Sequence, residues 1–188
     1  MAGSTSRGFV LVGLVALCVS AGVNILQAQR IRSLMDTQSA PATVIGKKVT
    51  AVTGFWTSGG QRQLSLRDNV PTVVYYFSPT CGWCERNWAN IQAVAAGAQG
   101  RYRIVLVSTS RDTRPYLEAR SLERLEAIEG IDDATRRAFG FSATPHTIVV
   151  ANDGLITHDW RGAFTPRTQR QIEELFGIDL PGLLPARR

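Results

Sequence analysis

Apolar positions fall into three kinds of run along this chain, and their periods predict its elements. The longest, Gly8 to Ala28, is an uncharged stretch of 21 residues rich in Val, Leu, Ala and Gly. At helical rise it covers about 30 Å, the hydrocarbon thickness of a bilayer. Two short continuous runs, Val73 to Phe77 and Ile104-Val105-Leu106-Val107, predict buried strands, the second a central one covered on both faces. The third kind has helical spacing. Cys84, Trp88, Ile91, Val94, Ala95 and Ala98 line one side of a helix that Gly97 and Gly100 close.

The remaining elements follow from weaker patterns. Residues 44 to 66 carry strand-like pieces about a hairpin turn at Ser58-Gly59-Gly60. Asp112 to Glu129 alternates charge around Tyr116, Leu117, Leu122, Leu125 and Ile128, which predicts a second helix, open to a break, ending at Gly130. A short helix over Asp133 to Phe139 is capped by Asp132 or Asp133 and stopped by Gly140. His146 to Val150 is a strand, Asn152-Asp153-Gly154 a hairpin turn, and Leu155 to Trp160 its partner. Thr165-Pro166 opens a last helix that Gly177 ends, and the tail from Ile178 is expected to be loosely held. Alternating strands and helices predict an α/β layer with helices on both faces. The boundaries are a membrane anchor or signal sequence over 1–28, a linker over 29–43, a domain over 44–177 and a tail over 178–188.

Composition and charge narrow the classes of function. The chain has 188 residues and a formal charge of +6, almost all of it arginine. From residue 40 onward there are 18 Lys+Arg against 14 Asp+Glu, and no basic block is interleaved with aromatics. Nucleic acid is therefore not an expected partner, and mild attraction to anionic lipid is the more physical reading. The apolar segment is too long for the core of a cleaved signal peptide, and Leu26-Gln27-Ala28 is a poor cleavage site. Leu17 before Cys18 does not suit a lipoprotein signal, so an uncleaved anchor through residues 8–28 fits best. Cys18 reads as a small apolar residue of that helix. Arg7 on one side and Arg30 and Arg32 on the other leave orientation undecided by charge.

Chemistry concentrates where the first strand ends. In Ser78-Pro79-Thr80-Cys81-Gly82-Trp83-Cys84, proline stops the strand and Cys81 falls at the start of a helix. Free N–H groups and the positive end of the helix dipole favour a thiolate there. Cys84, one turn on, is close enough to form a disulfide with it. A nucleophile with a resolving partner is the minimum kit for thiol–disulfide exchange. No second Cys pair exists to complete a structural zinc site.

The strand, Cys-X-X-Cys, helix and downstream Thr144-Pro145 resemble the thioredoxin superfamily. The lead-in Gly46-Lys47-Lys48-Val49 and Leu64-Ser65-Leu66-Arg67-Asp68 resembles its membrane-anchored TlpA/ResA-like redoxins, over roughly Val44 to Gly177. That resemblance implies a thioredoxin-like α/β fold over 44–177, with a central mixed sheet and helices on both faces, behind one N-terminal transmembrane helix. It implies a cis Thr144-Pro145 bond facing the cysteines, with Gly82 and Trp83 tuning the couple. It implies a redox-active Cys81–Cys84 disulfide and no other cofactor. Expected partners are a cysteine-containing client protein, a membrane electron donor or another thiol oxidoreductase, and the bilayer. The expected location is the bacterial cytoplasmic membrane, single-pass, with the domain facing the periplasm or cell exterior.

Several points stand apart from that pattern. Many thioredoxins carry a buried Asp six residues before the nucleophile, where this chain has Tyr75, a poor base at neutral pH. Glu85 is a candidate replacement, with a solvated helix face as its alternative. His146 follows the proline, so Cys81, Cys84 and His146 form an alternative copper-binding or copper-delivery set. His158 and Asp159 read as a solvated strand face. The same two cysteines would also serve a disulfide donor or isomerase. A peroxiredoxin motif would need proline at residue 74, which is Val.

Overall fold

The computed structural model describes residues 17–30, 43–57 and 59–185. The chain divides into two units, 1–42 and 43–188. In the first, residues 17–30 form helix α1, with Leu17, Val19, Val23, Ile25 and Leu26 exposed. Among the described residues no helix is long and apolar enough to cross a membrane. Residues 8–16 of the expected anchor, 31–42 of the expected linker, and Ser58 of the first hairpin turn lie outside the described residues.

The second unit is built on one seven-stranded mixed sheet in the order β2-β1-β5-β4-β3-β6-β7. Its strands are β1 (Ala51–Trp56), β2 (Gln61–Ser65), β3 (Thr72–Phe77), β4 (Arg103–Ser108), β5 (Glu126–Glu129), β6 (His146–Val150) and β7 (Ile156–Arg161). Its helices are α2 (Gly82–Gly97), α3 (Arg114–Glu118), α4 (Asp133–Ala138) and α5 (Pro166–Phe176). β3 pairs parallel with β4 and antiparallel with β6, which places the end of β3 beside the start of β6.

Strand period sorts the core into two layers. Val73, Tyr75 and Phe77 of β3 and Ile104 and Leu106 of β4 pack with Trp88, Ile91 and Val94 of α2 and Ile172 and Phe176 of α5. Val74, Tyr76, Val105 and Val107 turn to the other face, against Phe139 and Phe141 that follow α4. β3 and β6 are buried along their whole length, as unbroken apolar runs require when both faces are covered.

Three expectations are corrected. The helix expected over 112–129 is only α3, five residues long, followed by strand β5. Asp112 and Ser121 adopt left-handed backbone, at φ 57° and 54°, which no helix continues through. Past Leu122 the chain inserts between β1 and β4 and gains a ladder on each side. Ala127 then faces one core layer and Ile128 the other, a strand's alternation that the charge pattern masked.

The tail is the second correction. Leu180 is buried, its N–H is donated to Glu173 Oε1, and Leu184 exchanges backbone and side-chain bonds with Arg86 on α2. Residues 178–185 form a strap against α2.

The third concerns β7. A bulge between Val149 and Val150 shifts its register against β6, so Asp159 turns to the same core layer as Ile156 instead of to solvent. Its side chain is only 3% exposed.

Candidate active site

The site grows from the end of β3. Beyond Phe77 the chain turns tightly: Cys81 N–H is donated to Ser78 O at 3.1 Å and Thr80 N–H to Ser78 Oγ at 3.3 Å. Pro79 in this turn has no N–H to extend the strand ladder. Cys81 has extended backbone and is the N-cap of α2, a place usually taken by Ser, Thr, Asp or Asn. Its Sγ receives the Cys84 N–H at 3.1 Å. An orphan helix donor thus points at sulfur, the arrangement that stabilises charge developing there.

Pairing of β3 with β6 brings in the second wall. Thr144-Pro145 is a cis peptide bond leading directly into β6, and Tyr76 stands opposite His146 in the ladder. The Cys81 thiol is donated to Thr144 O at 3.4 Å. Cys81 is half-buried and Cys84 fully buried, and both are free thiols. Gly82 faces open space, and Trp83 beside it is 54% exposed with the Arg86 guanidinium 4.5 Å from its ring centroid.

Burial pushes the Cys84 thiol up to about 12, and the neighbouring Cys81 sulfur adds to the shift. Backbone contact with Ser78 and the Thr144 contact oppose it without cancelling it. Tyr75, fully buried, is held well above the usual phenol value, first by burial and then by Cys84. It is a neutral hydroxyl, not a base. Glu85 takes neither of its expected places: its carboxylate receives Arg120 and the Tyr116 hydroxyl in a half-buried ion pair.

A buried amide pair occupies the space beneath the motif. Asn87 Nδ2 is donated to Tyr75 Oη at 3.4 Å, and Asn87 Oδ1 receives Asn90 Nδ2 at 2.9 Å and Phe164 N–H at 3.2 Å. Asn90 Oδ1 in turn receives Gly182 N–H at 2.9 Å. Sequence reasoning missed both residues. Their one signal was position: at i+3 and i+6 from Cys84 they fall on the buried side of α2, among apolar neighbours.

The three-ligand metal set does not assemble. His146 lies in the opposite core layer from Cys84, edge-on to Phe141 at 5.3 Å, with Nε2 2.6 Å from Asp159 Oδ1. Burial lowers its pKa against the pull of Asp159. Among the described residues no three His, Cys, Asp or Glu side chains are grouped to hold a metal ion. His158 is half-buried, stacked on Trp160 at 5.1 Å.

No protein-family model matches the chain, and no curated protein matches it in sequence. Solved structures do. The chain is similar to the thioredoxin domain of a thiol-disulfide oxidoreductase from Bacteroides vulgatus, at 18% identity and TM-score 0.58, over 72% of this chain and 99% of that one. It is similar to a thiol:disulfide interchange protein of the thioredoxin family from Chlorobium tepidum, at 13% identity and TM-score 0.55, over 72% and 99%. A peroxiredoxin-like protein from Aquifex aeolicus matches at 10% identity and TM-score 0.57, over 72% and 89%. At such identities the likeness defines a fold. Residues 43–57 and 59–185 have a thioredoxin-like α/β fold, with its sheet mixed and helices on both faces.

Proposed function

We propose that the protein is a membrane-tethered thiol–disulfide oxidoreductase that reduces disulfides of client proteins outside the cytoplasm. One observation carries this reading: the half-exposed Cys81 sulfur, capping α2, lies between the Cys84 N–H and the carbonyl of the cis Thr144-Pro145 pair. The Cys81 thiolate attacks one sulfur of the client disulfide; a Cys81–client bond forms, and the other client sulfur leaves and takes a proton. Cys84 then gives up its proton and attacks Cys81, which releases the second client thiol and leaves Cys81–Cys84 oxidised. Two electrons pass from the protein's dithiol to the client. A dithiol donor, in the membrane or on another thiol oxidoreductase, restores the reduced pair.

Burial opposes a thiolate on Cys84, the resolving sulfur. With Tyr75 neutral and Glu85 held by Arg120, no carboxylate among the described residues acts on Cys84, so water or the departing client thiolate takes its proton. Residues 8–28 supply the tether in this reading, and cytochrome c maturation or maturation of another secreted redox enzyme is the kind of work it suits.

Cysteine replacement tests the assignment. Cys81→Ser is expected to abolish exchange with a model disulfide, while Cys84→Ser accumulates the mixed disulfide through Cys81, seen as added mass. Exchange by Cys81→Ser at the wild-type rate would contradict it.

A further inference from the structure

Exposed large apolar side chains are scarce in the thioredoxin-like unit: among its described residues they are Ile45, Trp83 and Leu184. Two of the three meet at one residue of the active-cysteine helix. The Arg86 guanidinium lies 4.5 Å from the Trp83 ring centroid, and its Nε is donated to Leu184 O at 2.8 Å. Leu184 N–H returns a bond to Arg86 O at 2.8 Å. Trp83 and Leu184 are 54% and 46% exposed, from positions 101 residues apart in sequence (184 − 83). Arg86 thus ties the strap at Leu184 to the helix turn that carries Trp83.

We propose that Trp83, Arg86 and Leu184 form a docking patch for the client segment beside its reactive disulfide, and that this segment carries an apolar side chain next to a carboxylate. The inference rests on the oxidoreductase reading and adds a substrate preference to it. Charge complementarity selects the occupant. Arg86 donates one nitrogen to Leu184 O and meets no carboxylate among the described residues, while Glu85 beside it is already held by Arg120. A client carboxylate would meet a guanidinium whose aromatic and backbone neighbours fix its plane, and an apolar side chain would cover Trp83 and Leu184. A side chain at Gly82 would meet nothing within 4 Å, so the chain between Cys81 and Trp83 borders open space.

Leu184 is the clean reporter, because its backbone makes the strap's bonds and its side chain faces solvent. The probe is the disulfide-linked dimer of acetyl-Glu-Leu-Cys-Gly-amide, compared with its Lys-Ser counterpart and with bis(2-hydroxyethyl) disulfide, which has no side chains to dock. The full chain, reduced, is expected to reduce the Glu-Leu dimer about tenfold faster than the Lys-Ser dimer. Covering roughly half a leucine side chain implies that Leu184→Ser slows the Glu-Leu dimer about fivefold. Its rate with bis(2-hydroxyethyl) disulfide is expected to be unchanged. Equal rates on the two dimers, or an unchanged Glu-Leu rate in Leu184→Ser, would overturn the patch and leave the oxidoreductase reading intact. Equal slowing on all three probes would also overturn it, since the strap would then act on the cysteines themselves. A wild-type dimer that Leu184→Ser converts to monomer in sedimentation would make the patch a self-contact and overturn it too. If the wild type reduces none of the probes, the oxidoreductase reading itself fails.

Discussion

At the scale of single residues, the two cysteines owe their different chemistry to one helical turn. Cys81 sits at the mouth of α2 with a backbone donor aimed at its sulfur, and Cys84 sits a turn deeper against Tyr75 and Trp88. With its thiol pushed up to about 12, Cys84 stays protonated near pH 8. Brief iodoacetamide treatment of the native reduced protein in a Cys18→Ser background is therefore expected to modify Cys81 and spare Cys84. The same shift has a stability consequence with a definite sign. The folded state keeps the Cys84 proton over a range where the unfolded chain, with its thiol near 9.0, has lost it. Folded stability is thus unaffected by this group below about pH 9 and falls as pH rises from there towards about 12. Tyr75, also raised, adds to the fall at higher pH. Urea midpoints measured between pH 8 and 11 check this, and Cys84→Ala is expected to flatten the decline; an unchanged slope in Cys84→Ala would contradict the shift.

At the scale of elements, the strap and α2 depend on each other. Gly97 closes α2 where the Ile178 side chain crosses it, and a Cβ there would collide with Ile178 Cγ2. Helix propensity alone would make Gly97→Ala stabilising by up to about 1 kcal/mol. Overpacking against the strap reverses the sign, so the expected effect is a loss of about 1–3 kcal/mol by urea unfolding. Ile178→Ala in the same chain should recover much of that loss, a coupling that a double-mutant cycle reads directly.

This element also marks the limit of what the sequence made legible. Unbroken apolar runs and turn residues placed β3, β4, β6, α2 and α5, because burial on both faces and helical period leave local traces. The strap left none: Pro181, Gly182 and Pro185 read as loose chain, and the bonds of Leu180 to Glu173, Gly182 to Asn90 and Leu184 to Arg86 that tie it down all reach residues distant in sequence or on other elements. β5 was hidden for the same reason, since its stability comes from neighbours at β1 and β4 and not from its four residues. Asp159 was misplaced because a bulge two strands' width from the motif decides its side of the sheet, and no alternation pattern reports a bulge. Cys81 and Cys84 were legible because one helical turn separates them; Thr144-Pro145 was legible only through the resemblance to the thioredoxin superfamily, and the pairing of β3 with β6 is what brings it to them.

At the scale of the whole molecule, a mixed sheet with Cys81 just beyond the end of a central strand follows, along the chain, a segment of 21 uncharged residues. The domain's modest positive balance, 18 basic against 14 acidic residues from position 40, suits work near an anionic surface better than capture of a polyanion. The central claim is that the Cys81–Cys84 pair gives electrons away. Its reduction potential, measured by equilibrating the protein in glutathione buffers, tests this most directly. The account predicts a reversible couple at or below about −220 mV, towards the range of thioredoxin. A value near about −120 mV, in the range of strong periplasmic oxidants, would contradict it and make the protein a disulfide donor.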